Sequence, residues 1–423
     1  MRKHSILLAA LLYAAGVWGQ DAGSGKTLQS FSKWYAVNTP DSIYGLFTSG
    51  LKAKLSMNDW RAGFPQMKDR LGTIGGFLPG ATTQMYSNFI AYGSVDSMIL
   101  TLSLDSIRQI QGIFMAPPKT KGGNVTHTNY KVSVKDGELA GELTMPAGVR
   151  RPPVAVIIAG SGPTDRDGNN VMGVKAQPYK LLAEALQMRG IACVRYDKRF
   201  IGESKDFKQP VDSVRLEDMI GDARAVIRKV RADTSFSSVI VIGHSEGALV
   251  GCIAAGEEKV NGFISLSGMG EDAVSLLKRQ LSVSLPPQLM TVVNGKLDSL
   301  RQGHRVPAPA GSPVAGLFAP QVQTYLISWF QYDPVREISK LKMPVLIVQG
   351  LTDLQVRKED AEMLKKGNPK ATLVLIDSMN HVLKDAPSDR GQNIATYNNP
   401  LLPLDKVLVE RVAAFISDSR LFR

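Results

Sequence analysis

Val239 to Gly256, VIVIGHSEGALVGCIAAG, constrains the fold of this chain more than any other stretch. Val239 to Ile242 are β-branched throughout and predict a buried parallel strand. A turn follows at Gly243-His244-Ser245-Glu246-Gly247, and a run rich in Ala, Gly and Leu then predicts a closely packed helix. Gly243 and Gly247 lack a β-carbon, so the backbone can turn sharply and strand and helix can approach each other. Strand, G-x-S-x-G and helix in that order form the context of a nucleophile elbow. Such a turn holds the Ser245 hydroxyl out above a sheet, with a helix N-terminus behind it that favours developing negative charge. The bland alternative is a tight glycine turn between two buried elements.

The rhythm around this stretch predicts the sheet. Residues 126–134 and 138–146 alternate as strands about a turn at Asp136-Gly137. From Pro153 the pattern changes to buried strands at VAVIIA, IACVRY, GFISLS, VLIVQ and ATLVLI, separated by helical segments at Tyr179–Arg189, Leu216–Val230 and Arg357–Lys366, with Leu404–Ile416 as a closing helix. Strands alternating with helices mean a mostly parallel sheet covered on both faces, with ligands at the carboxyl ends of the strands. Residues 271–342 interrupt the alternation and read as an inserted helical cap. Its aromatics, Tyr325, Trp329 and Phe330, either line a substrate pocket or bury the cap's own core.

The chain has 423 residues, enough for more than one domain. Residues 1–19 read as a secretory signal peptide: Arg2 and Lys3 precede an apolar run, and Val17 and Gly19 suit a cleavage site before Gln20. The expected location is therefore exported, in a periplasm or beyond, and no later segment suits a membrane span. Residues 20–26 are expected as a flexible linker; their GSGKT lacks the first glycine of a P-loop, since Gln20 stands there. Residues 27–115 predict a small α+β module, helices first and strands after, and residues 116–123 a second linker before a large unit over 124–423. Asn124 opens a glycosylation sequon. The two cysteines, Cys193 in a strand and Cys252 in a helix, read as small buried residues and not as a bridge. A formal charge of +12, spread along the chain with no basic run interleaved with aromatics, gives no nucleic-acid module, and no Cys/His spacing suggests a metal.

A serine hydroxyl needs a base, and the base needs an orienting carboxylate, in the chain order serine, acid, histidine. Of five histidines, His4 lies in the signal segment, His127 lies far upstream, His244 points the wrong way within the elbow, and His304 precedes any acid candidate. His381, in a loop after the last strand, remains as the base. Asp353, after VLIVQG, is the preferred acid; Asp377 is the rival, and Glu359 and Asp360 are expected to be solvated. Oxyanion donors are expected at the backbone N–H of Glu246 and of Ser161, in the AGSGP turn after VAVIIA, with Gly162 the next candidate. Asp165, Arg166 and Asp167, and Asp197, Lys198 and Arg199, read as structural brackets of the site.

AGSGPTDRDGN, YDKRFIGES, GHSEG, VQGLTDLQV and MNHVLK together resemble the α/β-hydrolase superfamily, and most of all bacterial secreted or envelope-associated carboxylesterase-like serine hydrolases. The resemblance covers about residues 124–423 and implies the triad Ser245, Asp353 and His381. Ala159 departs from it where many relatives carry histidine, and Phe200 where a glycine is common. The layout of the first module is similar to cystatin-like or NTF2-like extracytoplasmic modules, which implies either a ligand pocket or a packing and dimerisation role. The expected protein is thus an exported serine esterase acting on small-molecule esters through an acyl-enzyme, without cofactor or metal. An amidase or peptidase on the same scaffold, or a catalytically silent binding protein, is the alternative. The oligomeric state is not written in the sequence.

Overall fold

The structure is a computed structural model; it describes residues 22–74, 77–82, 87–92, 99–116, 126–309, 311–400 and 402–418. The expected signal peptide, the sequon at Asn124 and most of the second linker lie outside these residues. The described residues up to Ala116 belong to one compact unit and those from Thr126 to another.

In the first unit, helices α1 (Ala22–Ala36), α2 (Pro40–Gly45), α3 (Ser49–Lys54) and α4 (Met57–Leu71) precede strands β1 (Leu78–Thr82), β2 (Ser87–Tyr92), β3 (Ile99–Leu104) and β4 (Ile110–Ala116). The strands pair as an antiparallel meander in chain order. Phe31, Tyr35, Phe47, Trp60 and Phe64 build an aromatic core against Leu100, Leu102 and Leu104. Residues 22–26, expected as a linker, instead open α1. Two helical glycines cost about 1 kcal/mol each. The buried face of Leu28, Phe31 and Tyr35 and the Thr27 hydroxyl bond to the Arg108 carbonyl (2.8 Å) offset that cost. Helix α4, which no expectation covers, carries Pro65 in its interior and still buries Trp60, Phe64, Met67 and Leu71 at helical spacing.

The second unit holds an eight-stranded sheet. Its strands are β5 (Thr126–Val134), β6 (Gly137–Met145), β7 (Val154–Ile158), β8 (Ala192–Tyr196), β9 (Val239–His244), β10 (Gly262–Leu266), β11 (Val345–Gly350) and β12 (Thr372–Ile376). The spatial order is β12-β11-β10-β9-β7-β8-β6-β5, parallel from β12 to β8 and antiparallel for β6 and β5. Period-2 alternation sorts the buried strands into two cores. Val154, Val156, Val194, Val241 and Ile347 face α6 (Leu216–Ala232) and α7 (Glu246–Glu258). Ala155, Ile157, Cys193, Ile240 and Val348 face α5 (Pro178–Gln187) and the C-terminal helix (Lys406–Ser417). Both cysteines are buried and free.

Between β10 and β11 the cap contributes α8 (Ala273–Ser282), α9 (Pro287–Arg301), α10 (Pro320–Trp329) and α11 (Pro334–Ser339). Trp329 and Phe330 are buried in the core that the cap shares with one face of the sheet, and Tyr325 packs against that core partly buried. After β11 the chain forms α12 (Lys358–Gly367), and after β12 it forms α13 (Arg390–Ala395), leaving the C-terminal helix as α14. Among the described residues no helix is long and apolar enough to cross a membrane.

Strand order locates the site. From β7 the chain runs outward to β8, then returns to the other side of β7 as β9. The loops after β7 and β9 therefore diverge and open a crevice at the carboxyl edge of the sheet. The turn after β8 shows what the departure at Phe200 entails: this residue adopts φ 66°, the left-handed region that glycine enters without cost, and its ring lies against Phe207 (5.2 Å between centroids).

Candidate active site

Ser245 sits between β9 and α7 with φ 55° and ψ −123°, a region an L-residue enters only under constraint. The constraint is packing. A β-carbon on Gly243 would lie 2.6 Å from the Ala248 α-carbon, and one on Gly247 would lie 2.5 Å from the Ala159 carbonyl oxygen. The turn is fixed by bonds from Ser245 N–H to the Leu266 carbonyl (3.0 Å) and from Ala248 N–H to the Ser245 carbonyl (2.9 Å). No hydrogen bond from Ser245 Oγ is formed among the described residues, and the side chain stands at the mouth of the crevice, 9% exposed.

Asp353 follows β11 and His381 follows β12, and the two meet: His381 Nδ1 lies 2.8 Å from Asp353 Oδ2. The other carboxylate oxygen accepts from the N–H groups of Gln355 (2.8 Å) and Val356 (3.0 Å). Burial raises the Asp353 pKa, but the His381 charge and hydrogen bond and these two N–H groups outweigh it and hold the carboxyl below its ordinary value. An ionised partner makes His381 Nδ1 the donor and leaves Nε2 free to accept a proton. Asp377 is exposed and makes no comparable bond. Asp360, expected to be solvated, is buried: it accepts from Gly270 N–H (3.0 Å), Arg279 (2.6 Å) and Arg357 N–H (2.9 Å), tying the cap's start to α12. Helical periodicity places it on the inner face of α12, which its charge alone concealed.

His244 turns away from the crevice. Its Nδ1 lies 2.8 Å from the Tyr179 hydroxyl and its Nε2 lies 2.8 Å from the His381 carbonyl. Full burial, then the neighbouring His381, push its pKa down to about 3, so the ring is neutral. A carbonyl can only accept, so Nε2 carries the hydrogen and Nδ1 accepts from Tyr179. Tyr179 Oη in turn accepts from Gly160 N–H (3.0 Å). This relay joins the turn after β7, the elbow and the histidine loop. Sequence reasoning missed Tyr179, which reads as one more apolar position of α5, and it missed Asn380. Asn380 holds the histidine loop through the Thr396 hydroxyl (2.7 Å) and Lys384 N–H (3.2 Å).

Ser161 follows β7, and the N–H groups of Ser161 and Glu246 donate to no other group among the described residues. Gly160 packs against the nucleophile: a β-carbon there would lie 3.2 Å from Ser245 Cβ. The charged brackets pair across the loops and not within one loop. Arg166 meets Asp197 (2.6 Å) and Glu203, Arg195 meets Asp167 and Glu142, and Arg199 meets Asp222 (2.6 Å). His127 is an exposed partner of Glu142 and His304 is exposed in the cap, both away from the crevice.

A mostly parallel sheet, helices on both faces and a strained Ser turn at the switch point define an α/β-hydrolase fold. The chain belongs to the family described as serine aminopeptidase, S33, which its residues 172–385 match. That span includes Ser245, Asp353 and His381 and begins after Ser161. The chain is similar to esterase EstD of Thermotoga maritima, 24% identical over 402 residues that cover 89% of this chain and 91% of that protein. Among solved structures it is similar to Est1E from Butyrivibrio proteoclasticus (18% identity, 68% of this chain and 97% of that one, TM-score 0.44). It is likewise similar to the Pyrococcus furiosus esterase Pf2001 (17% identity, 73% and 97%, TM-score 0.45).

Proposed function

We propose that this protein is a serine hydrolase of the carboxylesterase type. The bond between His381 Nδ1 and Asp353 Oδ2, in the loops after β12 and β11, carries the reading. Ser245 Oγ attacks the ester carbonyl as its proton passes to His381 Nε2, and Asp353 stabilises the imidazolium. The tetrahedral oxyanion forms against the N–H groups of Ser161 and Glu246. Return of the proton from Nε2 to the alcohol oxygen breaks the ester bond and leaves an acyl-enzyme. Water, activated by the same nitrogen, then releases the acid. The missing Ser245–His381 bond is compatible with this chemistry, since catalytic hydrogen bonds are often long before substrate binds.

The family description favours a second reading, cleavage of amides at a free amino terminus. Such a substrate needs an anion for its ammonium, and the carboxylate next to the nucleophile, Glu246, is already paired with Lys198. Ester cleavage is therefore the first reading.

A fluorophosphonate probe is expected to label Ser245, and Ser245→Ala to lower turnover of p-nitrophenyl acyl esters by about 10⁵-fold or more. Faster cleavage of aminoacyl p-nitroanilides than of any ester selects the amidase, and no labelling with no turnover leaves a ligand-binding protein. Export belongs to the proposal and rests on the basic, apolar start of the chain; its test is whether the protein recovered outside the cytoplasm begins at Gln20.

A further inference from the structure

Gly160 is held from both sides. Its N–H donates to Tyr179 Oη (3.0 Å), and its carbonyl accepts from Lys198 Nζ (3.0 Å). The same ammonium lies 3.2 Å from Glu246 Oε1. Lys198 thus ties together the two residues at which oxyanion donors are assigned: the peptide preceding Ser161, and Glu246 itself. The Glu246 side chain is buried, at 2% exposure, and that of Lys198 is partly buried, at 13%. The space beside them, lined also by Tyr196 and Asp222, amounts to about 10 Å³, room for one water. The partners that the ammonium meets are the protein's own groups, the Gly160 carbonyl and the Glu246 carboxylate.

The Gly160 carbonyl and the Ser161 N–H belong to one peptide plane. The peptide is trans, so the two point in opposite directions. Aiming the carbonyl at Lys198 therefore aims the N–H away from it, on the loop that packs against Ser245. A cation on the carbonyl oxygen also draws electron density from the peptide and makes the N–H a stronger donor.

We propose that Lys198 is the positioning residue of the oxyanion hole. Its ammonium fixes and polarises the Gly160–Ser161 peptide, and the Glu246 carboxylate holds the ammonium in place. This rests on the acyl-transfer reading given above. Lys198 touches no substrate; it acts through the Ser161 N–H.

The test uses the full chain. Lys198→Met is expected to lower kcat for p-nitrophenyl esters by about 30- to 100-fold, the scale of one misaligned oxyanion donor, with KM changed less than about threefold. A trifluoromethyl ketone, to whose carbonyl carbon Ser245 Oγ adds while His381 takes the proton, presents the oxyanion itself; its affinity is expected to fall by the same factor as kcat. Lys198→Met strands a buried carboxylate, so Lys198→Met/Glu246→Gln supplies a second variant without one, and the same losses are expected from it at a near-parental melting temperature. Parental kcat and ketone affinity in the folded double variant, or a loss confined to KM, overturns the role of Lys198. Persistent turnover in Ser245→Ala overturns the acyl-transfer reading instead.

Discussion

The loops around Ser245 and the cap inserted after β10 differ in what chiefly holds them. At the rim, buried polar groups set each position by directional bonds: Asp353 to His381, His244 to both Tyr179 and the His381 carbonyl, Lys198 to both Gly160 and Glu246. The cap is held mainly by apolar packing of Leu276, Val293, Leu297, Phe318, Leu326 and Trp329. Directional bonds supplement that packing: Asp272 and Asp333 cap α8 and α11, and the buried Gln323 amide bonds the backbone at Val306 and Phe318. Among the described residues, Trp329 Nε1 and Asn294 Oδ1 inside the cap are buried without a partner, as is Gln349 Oε1 beneath Asp353. Packing defines a volume, whereas hydrogen bonds define a direction. Chemistry at one oxygen needs direction; filling a core needs chiefly volume.

The contrast predicts that an isosteric change at the rim costs more than a change of chemistry in the cap. Asp353→Asn keeps the shape and removes the charge, and is expected to lower kcat by about 10⁴-fold. A loss below tenfold in steady-state ester hydrolysis means the carboxylate does not orient His381. Next in size, Trp329→Ala is expected to lower stability by about 3–5 kcal/mol through the cavity it leaves. Trp329→Phe, which loses only an unbonded N–H and part of the ring, is expected to cost about 1 kcal/mol. Equal costs in calorimetric unfolding mean that the cap, too, depends on a directional bond.

A third effect, comparable to the cavity cost, separates the regions by pH. His244 titrates near 3 in the folded chain against an ordinary 6.5, so the unfolded chain takes up the proton first as pH falls. Its contribution is complete above about pH 6.5 and is lost toward pH 3, at about 1.4 kcal/mol per pH unit. Calorimetric unfolding between pH 7 and 4 is expected to show this slope in the parent and a slope shallower by about one proton in His244→Gln. Identical slopes mean that another group takes up the proton.

The strands were legible because burial on both faces leaves continuous β-branched runs, and the elbow because only glycine permits the approach at Gly243 and Gly247. The pairing of Asp353 with His381 was anticipated by chain order, as each follows a strand end. The opening of α1 at Ala22 was not legible: Gly23, Ser24 and Gly25 give no helical signal, and packing overrode propensity. Asp360 escaped notice for the opposite reason, a charge on a helix being read as solvated when its partners lie 90 residues away in sequence, at Gly270.

By itself the sequence determined the alternation of strands and helices, the place of Ser245 at the end of a strand, and the two later strand ends that carry Asp353 and His381. These are local patterns, fixed by side-chain periodicity and backbone sterics over a few residues. Only the tertiary structure decided that His244 faces inward to hold the histidine loop, that Tyr179 is a relay, and that Lys198 ties Gly160 to Glu246. Those outcomes depend on which strands become neighbours. Strand order brings the loops after β7, β8 and β9 to one edge of the sheet, and no local pattern encodes the meeting of groups that the chain holds dozens of residues apart.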